Sequence, residues 1–157
     1  MLDHPRNQAL WLPLMEIKRT IWVLHPAAEM YQLVLDVNAY PAFLSWCVGA
    51  EVLEQNDTLQ LASLEVSIAG LRQTFATRNR LVPGEQLSLE LLEGPFRYLS
   101  GRWDFTPLGD KGSKVTLNLA FDFSSSLLSG AFRRGFANVA DKLVYDFSTR
   151  ADVVYGT

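Results

Sequence analysis

Apolar residues recur at two different periods along this chain, and the switches between them divide it into elements. Ile17, Arg19, Ile21 and Val23 alternate with Lys18, Thr20, Trp22 and Leu24, which predicts a first strand with one face apolar except for Arg19. Pro26, with its fixed φ and missing N–H, then opens a helix. Met30, Leu33, Val34 and Val37 form its buried stripe, and Asp36 and Asn38 mark its end. Within the following segment Pro41 disfavours a helical Tyr40, while Tyr40, Phe43 and Trp46, three apart, share one face of a turn or two. Two readings stay open for residues 36–47: an apolar flap over a cavity, or a short helix packed into the core.

After Cys47 the period becomes two and holds for about 75 residues. Six strands fit, near 48–55, 59–68, 71–81, 86–93, 98–107 and 114–124. Their turns are Asn56-Asp57, Ala69-Gly70, Pro83-Gly84, Gly94-Pro95 and Gly109-Asp110-Lys111-Gly112, short enough to make neighbours antiparallel. Leu99, Gly101, Trp103 and Phe105 share one face, as do Val115, Leu117, Leu119, Phe121 and Phe123. Arg102, Asp104, Lys114, Asn118 and Asp122 lie opposite, so one face of the sheet is wet.

From about Ser126 to Tyr155 the spacing returns to three and four, with three serines ahead as candidate caps. The stripe is Leu128, Phe132, Phe136, Val139, Ala140, Leu143, Phe147, Ala151 and Val154. A helix of roughly 45 Å is longer than any strand and must cross the sheet diagonally. The architecture this predicts is α+β: a curved seven-stranded antiparallel sheet around a long C-terminal helix, with small helices between strands one and two capping one end. Sheet and helix of unequal curvature leave a cavity between them. Gly130 and Gly135 inside the helix imply close backbone approach, room for a ligand, or relief of crowding against Trp103 or Phe121.

Composition narrows the function classes. With 157 residues, 48% hydrophobic and 20% charged, the chain suits one compact domain, expected over 15–157 behind an N-terminal tail over 1–14. A net charge of −3 does not favour DNA. Cys47 is the single cysteine, which precludes an intramolecular disulfide and a cysteine metal cluster and implies a reducing, cytoplasmic compartment. His4 and His25 have no evident nucleophile or metal-ligand partners, and no glycine-rich phosphate loop occurs. Glu51, Glu54, Glu65, Glu90 and Glu93 are strand-borne and read as a solvated face, so the expectation is a protein that is not an enzyme, with no metal.

The densest charge lies on one strand. Arg72, Arg78 and Arg80 share a period-two face with Thr74 and Ala76. Glu65 and Glu90 on neighbouring strands are placed to neutralise them, which makes a solvated face; the alternative is an anion-binding patch for rRNA phosphate or lipid headgroups.

Tyr40-Pro41-Ala42-Phe43-Leu44-Ser45-Trp46-Cys47, Gly70-Leu71-Arg72-Gln73 and, above all, Gly94-Pro95-Phe96-Arg97-Tyr98-Leu99-Ser100-Gly101-Arg102-Trp103-Asp104-Phe105 resemble the signatures of the coenzyme Q-binding START-like family. Its bacterial members are also called ribosome association toxins. The resemblance runs from about Met15 to Tyr155 and implies the helix-grip (START/Bet v 1-like) fold. It implies non-catalytic binding of ubiquinone or another polyprenylated quinone, or of another lipid, between sheet and helix in support of respiration, with peripheral membrane contact and no catalytic cofactor. On this reading Tyr40, Phe43, Trp46, Phe75, Phe96, Trp103, Phe121, Phe132 and Phe136 line the ligand site. Gln73, Thr77 and Asn79, beside Leu71, Phe75 and Leu81, form a wall able to hydrogen-bond a quinone carbonyl. The alternative function is that of relatives that block association of ribosomal subunits, as the toxin of a toxin–antitoxin pair. Arg72, Arg78 and Arg80 would then meet rRNA of the large subunit.

Overall fold

The computed structural model describes residues 15–124 and 128–157. The expected tail over 1–14 and the candidate caps Ser125 and Ser126 lie outside the described residues. Strands β1 (Met15–Val23), β2 (Cys47–Gln55), β3 (Leu59–Ile68), β4 (Leu71–Val82), β5 (Gln86–Glu93), β6 (Phe96–Leu108) and β7 (Gly112–Phe123) follow the alternation closely. Helix α1 (Ala27–Leu35) and a 3₁₀ helix (Val37–Ala42) separate β1 from β2, and α2 (Gly130–Tyr155) ends the chain. The α+β architecture is therefore the predicted one.

All strands join one seven-stranded sheet in the order β1-β7-β6-β5-β4-β3-β2, each neighbouring pair antiparallel. Consecutive strands from β2 to β7 pair through short turns, whereas β1 crosses to the far edge beside β7. The crossover carries α1 and the 3₁₀ helix, which is why the small helices sit between the two edges. Their apolar residues Met30, Val34 and Val37 are buried with the sheet's inner face.

α2 is shorter than its apolar spacing suggests. Its 26 residues span about 39 Å. The N-cap is Ser129, whose Oγ accepts the Phe132 N–H at 3.0 Å, so the helix starts after the run of three serines. Phe132, Phe136, Ala140, Val144, Phe147 and Ala151 are its buried residues. Val154, expected in the stripe, is exposed.

The first turns of α2 are locked by aromatic rings. Phe96 meets Phe75, Phe123 and Phe136 at centroid distances of 5.2–5.3 Å, and Phe121 meets Phe136 at 5.0 Å. Two glycines admit this packing. A Cβ on Gly94, at φ 144°, would lie 2.4 Å from the Phe75 Cβ; one on Gly135 would lie 2.4 Å from the Ile68 Cγ2. Close backbone approach thus accounts for Gly135, and its neighbour is Ile68 rather than Trp103 or Phe121.

The far end of α2 is tied down by His25. Its ring Nε2 lies 2.8 Å from the Asp152 carboxylate, and its carbonyl accepts the Ser113 hydroxyl at 2.8 Å. The histidine that has no evident partner in the sequence joins the β1–α1 turn to β7 and the last turns of α2.

Candidate functional site

Between α2 and the inner face of the sheet lies a cavity of about 110 Å³. Its walls are mostly apolar: Leu87, Leu99 and Leu119 from the sheet, Val139, Leu143 and Phe147 from α2, Val34 and Val37 from the α1 end. Of the residues proposed from the sequence, Tyr40, Trp46, Phe75, Trp103 and Phe136 line it. Phe43, Phe96, Phe121 and Phe132 do not. Phe43 packs edge-on to Tyr40 and Phe147 beneath the Arg150 guanidinium, and the other three belong to the ring cluster at the start of α2. The cavity is near the ~150 Å³ that admits one benzene ring and below the ~300 Å³ typical of drug-sized ligands. In this conformation it holds at most one small ring and no polyprenyl tail.

The segment before β2 closes one side. Tyr40 donates its hydroxyl to the Val34 carbonyl, and Asn38 Oδ1 accepts the Val52 N–H at 3.1 Å. Burial, with smaller contributions from Cys47 and Asp36, holds the Tyr40 phenol far above its usual range, so it remains a neutral donor. The segment is a short 3₁₀ helix packed on the core, and Tyr40 within it and Trp46 after it also wall the cavity.

Two polar atoms in these walls lack partners. Asn79 on β4 is 4% exposed and its Oδ1 is unpaired, as is the buried indole N–H of Trp46. Tyr40 is the one ionisable side chain among the described residues that line the cavity. Among the described residues no group of His, Cys, Asp and Glu converges to hold a metal, and no helix is long and apolar enough to cross a membrane.

The opposite face of the sheet forms a trough of about 690 Å³ across five adjacent strands. The register sets one cross-strand row, Arg80, Ser88, Arg102, Asn118 and Lys18, on β4, β5, β6, β7 and β1. Strands lie about 4.8 Å apart, so the three cations recur at roughly 10 Å over small residues. The next row, Arg78, Glu90, Ser100, Ala120 and Glu16, is mixed in sign. The expected neutralisation is present and uneven: Glu65 accepts from Arg72 at 3.3 Å, Glu90 stands 3.7 Å from Arg78 and 4.0 Å from Arg80, and Arg102 is paired with Asp104 on its own strand at 2.9 Å. Arg78 and Arg80 line the trough while Arg72 does not. Lys18 and Arg102, which sequence spacing did not group with the β4 arginines, complete it. Only the strand pairing brings them together.

Residues 23–148 match the family described as polyketide cyclase / dehydrase and lipid transport. The ribosome association toxin RatA of Vibrio cholerae serotype O1 is 43% identical over 141 residues, covering 90% of this chain and 98% of that one. The mitochondrial coenzyme Q-binding protein COQ10 homolog B of Xenopus laevis is 29% identical over 132 residues, covering 82% of this chain and 54% of that one. Among solved structures, the Zhui aromatase/cyclase of Streptomyces sp. R1128 superposes with a TM-score of 0.77 at 20% identity, covering 89% and 94% of the two chains. That likeness is one of fold. With its helix-grip architecture and a family match over most of its length, the chain belongs to the START-like polyketide cyclase / dehydrase and lipid transport family.

Proposed function

We propose that this protein is a non-catalytic binding protein that associates with a ribosomal subunit and hinders the joining of subunits. What carries the reading is its 43% identity, over nearly the whole of both chains, to a protein named for ribosome association. The outer trough supplies a physical means. Exposed cations in a row over a floor of small side chains let a phosphate backbone approach closely, and a local basic surface can bind RNA although the whole chain is slightly acidic. The greater similarity to the protein named for ribosome association than to the coenzyme Q-binding one supports placing this reading ahead of quinone binding, which the sequence alone puts first. The test is light scattering as separated subunits are mixed. Protein added beforehand should lower the amplitude of subunit joining and co-sediment with one subunit. Unchanged scattering without co-sedimentation contradicts the reading.

A second reading is favoured by the cavity: uptake of an apolar ring-bearing ligand, such as the head of a polyprenylated quinone, without chemical change. The lining offers no acid–base pair, which supports binding over catalysis. The two readings use opposite faces of the sheet and are compatible.

A further inference from the structure

Two polar groups of the cavity, Asn79 and Trp46, have a fixed polarity, whereas the Thr77 hydroxyl can donate or accept, and the fixed pair constrains the ligand beyond being apolar. The chain of reasoning begins at the Leu35 carbonyl, which can only accept. Gln60, fully buried, therefore turns its Nε2 toward that carbonyl at 2.8 Å, and the same Nε2 donates to Gln55 Oε1 at 3.0 Å. Gln60 Oε1 is left facing Asn79, which must present its Nδ2, at 2.8 Å. Asn79 Oδ1 is then committed as a lone-pair acceptor, unpaired and sealed from solvent, at the wall of the cavity. Neither amide can be turned over without setting two donors or two acceptors against each other.

Tyr40 cannot serve Asn79, because its hydroxyl is spent on the Val34 carbonyl. The indole N–H of Trp46 is the complementary unpaired atom. The cavity therefore asks for an O–H or N–H donor at Asn79 and offers a donor from Trp46. A quinone has acceptor oxygens only: it can accept from Trp46 or from the Thr77 hydroxyl but leaves Asn79 Oδ1 without a donor, so within the expected polar wall Thr77 and not Asn79 suits a quinone carbonyl. A hydroquinone or phenol of nearly the same shape carries both the donor that Asn79 lacks and an oxygen that can accept from Trp46.

We propose that the cavity selects a hydroxyl-bearing aromatic ring, and so binds a hydroquinone in preference to the corresponding quinone. This rests on the ligand-binding reading above. Leaving a buried acceptor unpaired is the main cost of the wrong ligand, which places the discrimination at about tenfold or more. A tenfold preference raises the two-electron potential of the bound couple by about 30 mV.

The experiment is anaerobic calorimetric titration of the purified protein with unsubstituted 1,4-benzoquinone and, separately, with its hydroquinone, rings small enough for the cavity. The hydroquinone should bind at least about tenfold more tightly. Its monomethyl ether, which keeps one O–H, should stay close to it, and its dimethyl ether should fall with the quinone. Asn79→Leu should erase the difference between the two ligands; if that variant does not fold, the ether series on the wild type decides. Quinone binding as tightly as hydroquinone overturns the inference and leaves the ligand-binding reading standing. No saturable binding by any of the four overturns both.

Discussion

Cys47 and Asn79 are both buried beside aromatic rings, yet the chemistry each can do differs sharply. The Cys47 thiol donates to the Gly49 carbonyl at 3.3 Å, and burial pushes its pKa above the usual thiol range. A raised pKa means less thiolate at neutral pH, hence a poor nucleophile. Ellman's reagent at pH 7.5 should label folded protein at least about tenfold more slowly than urea-unfolded protein; equal rates would place the thiol at the surface. Asn79, by contrast, is poised toward the cavity, and its residue type and inward direction were legible from the alternation along β4. Its polarity was not, because Gln60 and the Leu35 carbonyl, distant in sequence, set it. The aromatic residues show the same limit. An inward face at Phe75 or Phe96 can be read from the spacing, but whether a ring lines empty space or meets another ring depends on partners such as Phe123 and Phe147 from other elements.

Helix α2 is held along its length: Phe147 packs on Tyr40, Phe43 and Trp103, and near the start Gly135 abuts Ile68. Gly→Ala in a helix ordinarily gains about 0.5–1 kcal/mol. At Gly135 the new methyl would overlap the Ile68 Cγ2 on β3, an overpacking that costs typically ~1–3 kcal/mol. Gly135→Ala should thus lower stability in urea by roughly 1–2 kcal/mol, from the difference of those terms. The double variant with Ile68→Ala should lose less than the sum of the two single changes. Additive losses, or a stabilised single variant, would show that the close approach is absent. The strands and both principal helices were legible because burial on one face imposes a period of two or of three to four. The start of α2 was not: Ser129 and the run of three serines before it are equal candidates by type, and only the Ser129 hydroxyl's reach to the Phe132 N–H picks the cap.

The sheet, taken whole, divides the molecule's work between its faces. The inner face carries the cavity; the outer face carries Lys18, Arg80 and Arg102 in one row. Alternation along a single strand reveals its own outward residues, which is how Arg72, Arg78 and Arg80 were grouped. It cannot say which residues of other strands lie beside them, and the crossover that carries β1 to the edge next to β7 is what brings Lys18 into line. Arg72 lies outside the trough, paired with Glu65. The most direct measurement is the salt dependence of binding to the isolated ribosomal subunit for three proteins: wild type, Lys18→Gln/Arg80→Gln/Arg102→Gln, and Arg72→Gln. Each lost phosphate contact should flatten the slope of log affinity against log salt by about 0.7–0.9. The row variant should therefore bind more weakly with a slope shallower by roughly 2–3, and Arg72→Gln should follow the wild type. Parallel slopes and equal affinities for all three proteins would contradict the account.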